Sequence, residues 1–567
     1  MTLICNLPAQ WDAETDLVAI GSGGGGLSAA ITAREHGLEA MVLERTDQVG
    51  GVTAFSMGEV WVPGNDHEAA LGIEDSPESG FRYVRQLSLG YGDDRAILNQ
   101  AIHAPVALRW FEETIGLRTT VIRNCPDYYY GATNDSVAEG RLLEVEPFPA
   151  EALGDWQQRT RISPHVLYGL THEDIFDNGG SANILTWDWT RMGERLARDE
   201  RCLGPGLAAY FVKGALDRDI PLLTGVNVEE LIGDGERVVG VRAVKDGKPF
   251  FVKARRGVVI AVSSYERNRD FGKTIGQQLE AQSVIMPEAD GAHLRLAGPF
   301  GARVARVPDV TMLAVQVPGE ELQEGVPLWR GVMPYIGLPH TIVVNRAGKR
   351  FANESFYRSI YFETDRIAGG DQTHPNMPSW MVLDSQARGK YPIGSIMPGQ
   401  DLPAEMAVKA DTLEDLARLA GFDAAGFIET VRRWNVFCAQ VRDDDFGRGE
   451  HLWGQWMSGH RGHKPHPNFG SIEQGPFYAL PLSRVAGSGI AAAGLLCDHH
   501  ARVMGWTGQP IPGLYAAGNS VARLDNGAVM QSGMSNARGM TQGWLAGRHA
   551  AGDPSDLLER EAARLGL

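Results

Sequence analysis

The feature that most constrains this chain is a run of glycines set between a strand-like and a helix-like stretch. Asp16-Leu-Val-Ala-Ile20 is short and apolar, Gly21-Ser-Gly-Gly-Gly-Gly26 follows, and Leu27 to Arg34 is Ala-rich and helical in pattern. A second apolar run, Ala40 to Leu43, ends on Glu44. Together they read as a βαβ unit. The spacing Gly21-x-Gly23-x-x-Gly26 strips side chains from the turn into the helix, so that backbone can approach a pyrophosphate at the positive helix end. Glu44, 18 positions after Gly26, stands where it can accept from a ribose hydroxyl. Dinucleotide binding follows, against the alternative of a tight turn with no ligand.

The segment after Glu44 decides which dinucleotide. Gln48-Val-Gly-Gly-Val-Thr-Ala54 is another run of small residues, and a nicotinamide enzyme has nothing to accommodate there. A ribityl chain and flavin need such a passage. Near the C-terminus Gly513-Leu-Tyr-Ala-Ala-Gly-Asn519 offers a second backbone approach before a helix. Glycine is 69 of 567 residues, about 12% where about 7% is usual, which suits a large cofactor. FAD is expected, held by Gly21, Gly23, Gly26, Glu44, Arg45, Gly50, Gly51, Thr53, Val228, Gly518 and Asn519.

The rest of the chain reads as more sheet and a second unit. Pro221 to Leu231, Arg237 to Val244 and Arg256 to Val262 are β-branched runs, while Ala101–Ile115, Trp187–Asp199 and Gly206–Arg218 are helical in pattern. Residues 285–470 change texture, with Pro-rich loops, scattered tryptophans and a helical pair at 412–419 and 424–441, the first opened by Asp411 as N-cap. A final helix is expected over Gly539 to Ala551. The expected fold class is α/β: a doubly wound, Rossmann-like FAD-binding domain (residues 1–284 and 472–567) with an inserted α+β catalytic domain (residues 285–471).

Charge and cysteine usage exclude several classes. Lys plus Arg number 53 against 70 Asp plus Glu, a net charge of −17, so no nucleic-acid partner is expected. Five widely spaced cysteines without a CxxC fit neither a disulfide framework nor a zinc knuckle. No segment has the run of ~18–20 apolar residues of a membrane span, and a cytoplasmic protein is expected.

Further motifs give a resemblance. Gly58-Glu-Val-Trp-Val-Pro63, Pro126-Asp-Tyr-Tyr129 with Glu139-Gly-Arg141, Asp290-Gly291, Gly348 to Glu354, Asp445-Phe-Gly-Arg-Gly449 and Pro476-Phe-Tyr-Ala479 join the glycine fingerprint. The chain resembles the fumarate-reductase-like flavoproteins and, within them, the 3-ketosteroid Δ1-dehydrogenase branch, including its cyclic-ketone members. That resemblance implies non-covalent FAD, an external electron acceptor, and desaturation of a cyclic ketone. A base takes the proton beside the carbonyl and flavin N5 takes a hydride from the next carbon. It also implies the roles: Tyr357 as base, Tyr128 assisting it, and the Gly533 N–H binding the ketone oxygen, with Tyr129, Tyr130 and Tyr361 as alternatives for the phenols. A 3-ketosteroid substrate, or the reverse chemistry of an enoate or fumarate-type reductase, are the other readings.

One departure bears on the substrate. Steroid-active members carry a Tyr four residues before the oxygen-binding glycine, and here Val529 holds that place in Val529-Met-Gln-Ser-Gly533. Cys125 replaces an aromatic residue at the steroid pocket. Asn526, Gln531 or Ser532 is expected to supply the missing donor, and Trp61 and Trp110 are expected to narrow the cavity toward a monocyclic ketone. His460, His463 and His466 lie in a Gly/Pro stretch and are expected to be a solvated loop rather than a metal site.

Overall fold

The glycine turn sits where a parallel sheet switches into helix. In the computed structural model, which describes residues 3–165, 167–276, 282–487 and 489–567, β1 (Ala13–Ile20), α1 (Gly24–Glu35) and β2 (Ala40–Leu43) form the expected unit. β1 and β2 pair in parallel, from Leu17 opposite Ala40 to Ile20 opposite Leu43. Leu17 to Ile20 are buried, as expected of a parallel strand covered on both faces. The chain then runs through α2 (Asp94–Ile115) and α3 (Leu203–Leu216) to β3 (Leu222–Leu223), β4 (Val226–Gly233), β5 (Val238–Lys245) and β6 (Lys248–Ile260). Pro221 to Leu231 is thus two strands. Gly225, at φ +68°, breaks the run, and β3 pairs with β2 while β4 pairs with β5.

A second sheet follows: β7 (Thr311–Gln323), β8 (Val326–Gly331), β9 (Thr341–Asn345), then α4 (Tyr357–Thr364), β10 (Ser379–Leu383), β11 (Val408–Ala410) and β12 (Phe477–Ala486). It is antiparallel, in the order β8-β7-β12-β10-β9, with β11 also on β12. β12 lies beyond residue 471, yet its partners all belong to this sheet. The helix expected at 412–419 spans Leu413–Ala420, and its cap is Thr412, not Asp411: the Thr412 hydroxyl accepts from the Asp415 N–H at 3.1 Å.

The chain then returns to the first sheet with β13 (Arg502–Met504) and β14 (Pro510–Ala516) and closes with α5 (Met534–Ala550). The strand order β13-β14-β6-β1-β2-β3 brings β14 alongside β6 in parallel. Helix α5 starts five residues before the expected Gly539 and packs along α1 through small residues. A Cβ at Gly543 would lie 2.4 Å from the Gly25 carbonyl oxygen, and one at Gly547 would lie 2.7 Å from Thr32 Cβ. The close approach holds two helix N-termini at one end of the sheet, where ligands of doubly wound folds bind.

Candidate active site

A cleft of about 1240 Å³, solvent at its mouth included, opens at that end of the first sheet. Of the expected cofactor residues, Gly21, Gly23, Glu44, Arg45, Gly51, Thr53, Val228, Gly518 and Asn519 line it. Gly23 leaves real space, because a Cβ there would meet nothing nearer than Thr53 Oγ1 at 3.8 Å. Gly26 and Gly50 do not line the cleft. A Cβ on Gly26 would lie 2.0 Å from the Gly21 carbonyl oxygen, so this glycine lets α1 pack on β1. Gly50 turns at φ +108° and donates to Ser22 Oγ at 3.2 Å.

The Glu44 carboxylate is held at the strand end by Ser22 Oγ at 2.6 Å and the Thr46 N–H at 2.9 Å. Arg45 turns to Asp290 at 2.9 Å, which holds the Asp290 carboxyl below its usual range against the opposing effect of burial. Three buried atoms on cleft-lining residues lack a hydrogen bond: Ser263 Oγ, Glu288 Oε2 and Asn519 Oδ1. An unmade buried bond costs about 1–3 kcal/mol, so a long polar ligand fits this wall. The far end of the cleft is lined by Val60 and by Ser535 and Asn536 in the first turn of α5, a helix N-terminus suited to negative charge. The residues thus fit FAD from a ribose at Glu44 to the start of α5. Ser263, Glu288 and Asn536 had no spacing pattern to reveal them.

The two expected reaction tyrosines come together. Tyr128 and Tyr357 meet edge to face with ring centroids 5.7 Å apart, and Trp453 packs on both, at 4.3 and 5.1 Å. Tyr357 begins α4, while Tyr128 comes from the irregular stretch after α2. The Tyr128 hydroxyl has Ser532 and Tyr357 as its polar neighbours, and the Tyr357 hydroxyl donates to Met530 Sδ at 3.6 Å. Burial raises both phenol pKa values above the usual range, so neither rests as a phenolate. Tyr361 lies behind Tyr357 at 4.9 Å, Tyr129 packs on Phe356, and Tyr130 is exposed.

Gly533 caps α5 at φ +79°, and a Cβ there would lie 2.6 Å from the Trp61 N–H nitrogen. No hydrogen bond of the Gly533 N–H is present among the described residues. Val529 is buried in one apolar cluster with Trp61, Cys125, Leu142 and Met534, so hydrocarbon fills its surroundings. Of the three expected substitutes for the absent phenol, Ser532 donates to the Glu59 carboxylate. The Gln531 amide oxygen accepts from Tyr83 Oη at 3.0 Å and the Tyr128 N–H at 2.8 Å. Its Nε2 is buried without a partner. A backbone N–H only donates, so the oxygen must face Tyr128, and the free donor is Gln531 Nε2.

One expectation fails. Trp110 lies on α2 against Phe111, at 4.8 Å, and His36, at 6.3 Å, and it packs on the core of the first sheet. The histidine stretch is a loop, with Gly462, Lys464 and Pro465 exposed and the three histidines half-buried; His460 Nδ1 is 3.0 Å from Tyr391 Oη, and His463 packs edge-on to His340 at 5.4 Å. Among the described residues no His, Cys, Asp and Glu group has the makings of a metal site, and no helix is long and apolar enough to cross a membrane.

A model of the FAD binding domain family matches residues 16–535. The chain belongs to this FAD binding domain family. FAD is therefore its cofactor, and the α/β fold class is as expected. The chain is 29% identical to the 4-oxocyclohexanecarboxylate 2-dehydrogenase of Sinomonas cyclohexanicum, over 97% of this chain and 95% of that one. It is 28% identical to a 3-oxosteroid 1-dehydrogenase of Mycolicibacterium smegmatis, over 94% and 96%. Its fold matches the crystal structure of the 3-ketosteroid Δ1-dehydrogenase from Sterolibacterium denitrificans in complex with 1,4-androstadiene-3,17-dione, with TM-score 0.85 and 29% identity. The match covers 95% of this chain and 99% of that one. These similarities bear out the resemblance read from the motifs of this FAD binding domain protein.

Proposed function

We propose that this FAD-dependent oxidoreductase desaturates a small cyclic ketone next to its carbonyl. The reading rests on one observation: two buried phenols, Tyr128 and Tyr357, meet edge to face, and the Tyr128 N–H is held by Gln531, two residues before Gly533 at the start of α5, whose first turn lines the FAD cleft. Gly21, Gly23, Glu44, Gly51, Thr53, Gly518 and Asn519 hold the cofactor, and the first sheet carries them, while the second sheet carries α4 and Tyr357. FAD, when bound, supplies the hydride acceptor, and an external electron acceptor reoxidises it. Tyr357 receives the proton from the carbon beside the carbonyl, with the Tyr128 ring set edge-on against it. The Gly533 N–H and Gln531 Nε2 donate to the ketone oxygen and stabilise the developing enolate. Trp453 and the burial of both phenols exclude water from the proton's path.

The relatives named above act on an oxocyclohexanecarboxylate and on 3-oxosteroids. Hydrocarbon at Val529 and the Trp453 wall favour the monocyclic class. Anaerobic addition of single ketones to the yellow holoenzyme tests this through loss of flavin absorbance, followed by kinetics with an artificial acceptor. Cyclohexanone is expected to give the higher kcat/KM. A preference for androstenedione of about tenfold, on the order of 1.4 kcal/mol, would return the enzyme to the steroid class. If no ketone bleaches the flavin while fumarate reoxidises the reduced protein, it is a reductase.

A further inference from the structure

A phenol raised well above its usual pKa cannot hold a substrate proton at neutral pH unless its own proton goes elsewhere. The structure offers a path of neighbouring polar groups. Tyr357 and Tyr128 meet edge to face, the Tyr128 hydroxyl has Ser532 beside it, and Ser532 Oγ donates to Glu59 Oε2. On its other side Glu59 Oε1 is 3.3 Å from His172 Nε2, with both side chains buried. His172 Nε2 also has the Met57 carbonyl at 3.1 Å, so this nitrogen carries the proton. The remaining ring nitrogen, Nδ1, is buried without a partner. The charged and titratable groups facing Glu59 are His172, Tyr128 and Cys125, with Glu144 behind His172, bonded to its N–H at 2.5 Å.

We infer that Glu59, reached through Tyr128 and Ser532 and held by His172, is the terminal acceptor of the proton taken from the ketone. This rests on the function proposed above and deepens it. In a concerted step the substrate C–H bond breaks and its proton binds Tyr357 Oη. The Tyr357 proton passes to Tyr128 Oη, that of Tyr128 to Ser532 Oγ, and that of Ser532 to the Glu59 carboxylate. The substrate becomes an enolate and Glu59 becomes neutral, so charge balances and neither phenol is ever left as a phenolate. Glu59 and Ser532 act through Tyr128 and not on the substrate, so they are positioning residues for this proton.

The test isolates proton removal from hydride transfer. Dithionite-reduced holoenzyme is incubated with cyclohexanone deuterated beside the carbonyl, and exchange with solvent is followed by NMR. Wild type is expected to exchange. Glu59→Gln is expected to exchange on the order of 10²-fold more slowly, the low end of an acid–base contribution. Glu59→Asp, which keeps the carboxylate, is expected to restore most of the rate. Ser532→Ala breaks the same path while leaving the Glu59–His172 pair, and serves where Glu59→Gln does not fold or loses flavin. Exchange at the wild-type rate in flavin-loaded Glu59→Gln or Ser532→Ala would overturn the relay while leaving the ketone reading intact. Absence of exchange in wild type, together with no ketone bleaching the oxidised flavin, would overturn both.

Discussion

The two ends of the cleft are built on opposite principles. At the Glu44 end, recognition is local and polar. The glycine turn and Glu44 come from one short stretch of chain, and the buried Ser263 Oγ, Glu288 Oε2 and Asn519 Oδ1 on the cleft wall have no hydrogen bond of their own. At the α5 end, Glu59, Tyr128, Tyr357 and Ser532 come from distant parts of the chain and meet among aromatic rings. The difference teaches where each property resides. On the function proposed above, cofactor affinity lies in a spacing pattern, whereas the chemistry lies in a tertiary contact between residues far apart in the sequence.

If that division holds, damage at one end leaves the other working. The largest effect is expected at the tyrosines. Tyr357→Phe keeps the ring contacts with Tyr128, Tyr361 and Trp453, so flavin content stays, while turnover falls by about 10²- to 10⁴-fold, the range a positioned acid–base group supplies. Flavin absorbance and kcat measured on one preparation check it. Loss of both together would break the comparison. At the other end, Glu44→Ala is expected to weaken FAD by about 1–3 kcal/mol, the cost of a carboxylate bond left unmade, read as the dissociation constant of reconstituted apoprotein.

Acid should separate the ends as well. His293 lies in the helix Ala292–Ala297, whose Ala292 and Leu296 line the cleft. It is buried, neither ring nitrogen has a partner, and burial lowers its pKa from 6.5 to about 3. The unfolded chain takes up this proton below 6.5 while the folded chain refuses it until about 3. Stability is therefore intact above pH 6.5 and falls as pH drops, by at most ~1.4 kcal/mol per pH unit for this group. His293→Leu is expected to flatten that slope and move flavin release to lower pH. Thermal unfolding followed by flavin fluorescence between pH 7 and 4 measures it, and an unchanged slope would remove His293 as the cause.

The same division explains what was legible in the sequence. Gly21, Gly23, Gly26 and Glu44 carry a spacing that only one backbone geometry satisfies, and the turn, helix and strand stand where that spacing puts them. Gly26 was legible as a requirement but not as its reason, which is the 2.0 Å approach of a would-be Cβ to Gly21. Tyr128 and Tyr357, on motifs whose family resemblance pointed to them, meet edge to face. Glu59 was not, because nothing in Gly58-Glu-Val-Trp61 says that its carboxylate meets a serine 473 positions away. Trp110 misled for the same reason: a tryptophan's residue type does not tell which face of α2 it occupies.

The smallest effect tests which aromatic wall sets substrate size. Trp453 packs on both phenols, so trimming it should widen the reaction end, whereas Trp110 touches Phe111 and His36, the residue that caps the C-terminus of α1. Trp453→Leu is expected to shift the ratio of kcat/KM for androstenedione over cyclohexanone upward by a few fold. That corresponds to about 0.5–1.5 kcal/mol, the size of one aromatic pair. Trp110→Ala costs packing in the first-sheet core and should lower the melting temperature without moving that ratio, since the two regions share no contact through it. A ratio that moves with Trp110 and not with Trp453 would place the size filter on the cofactor side and dissolve the division between the two ends.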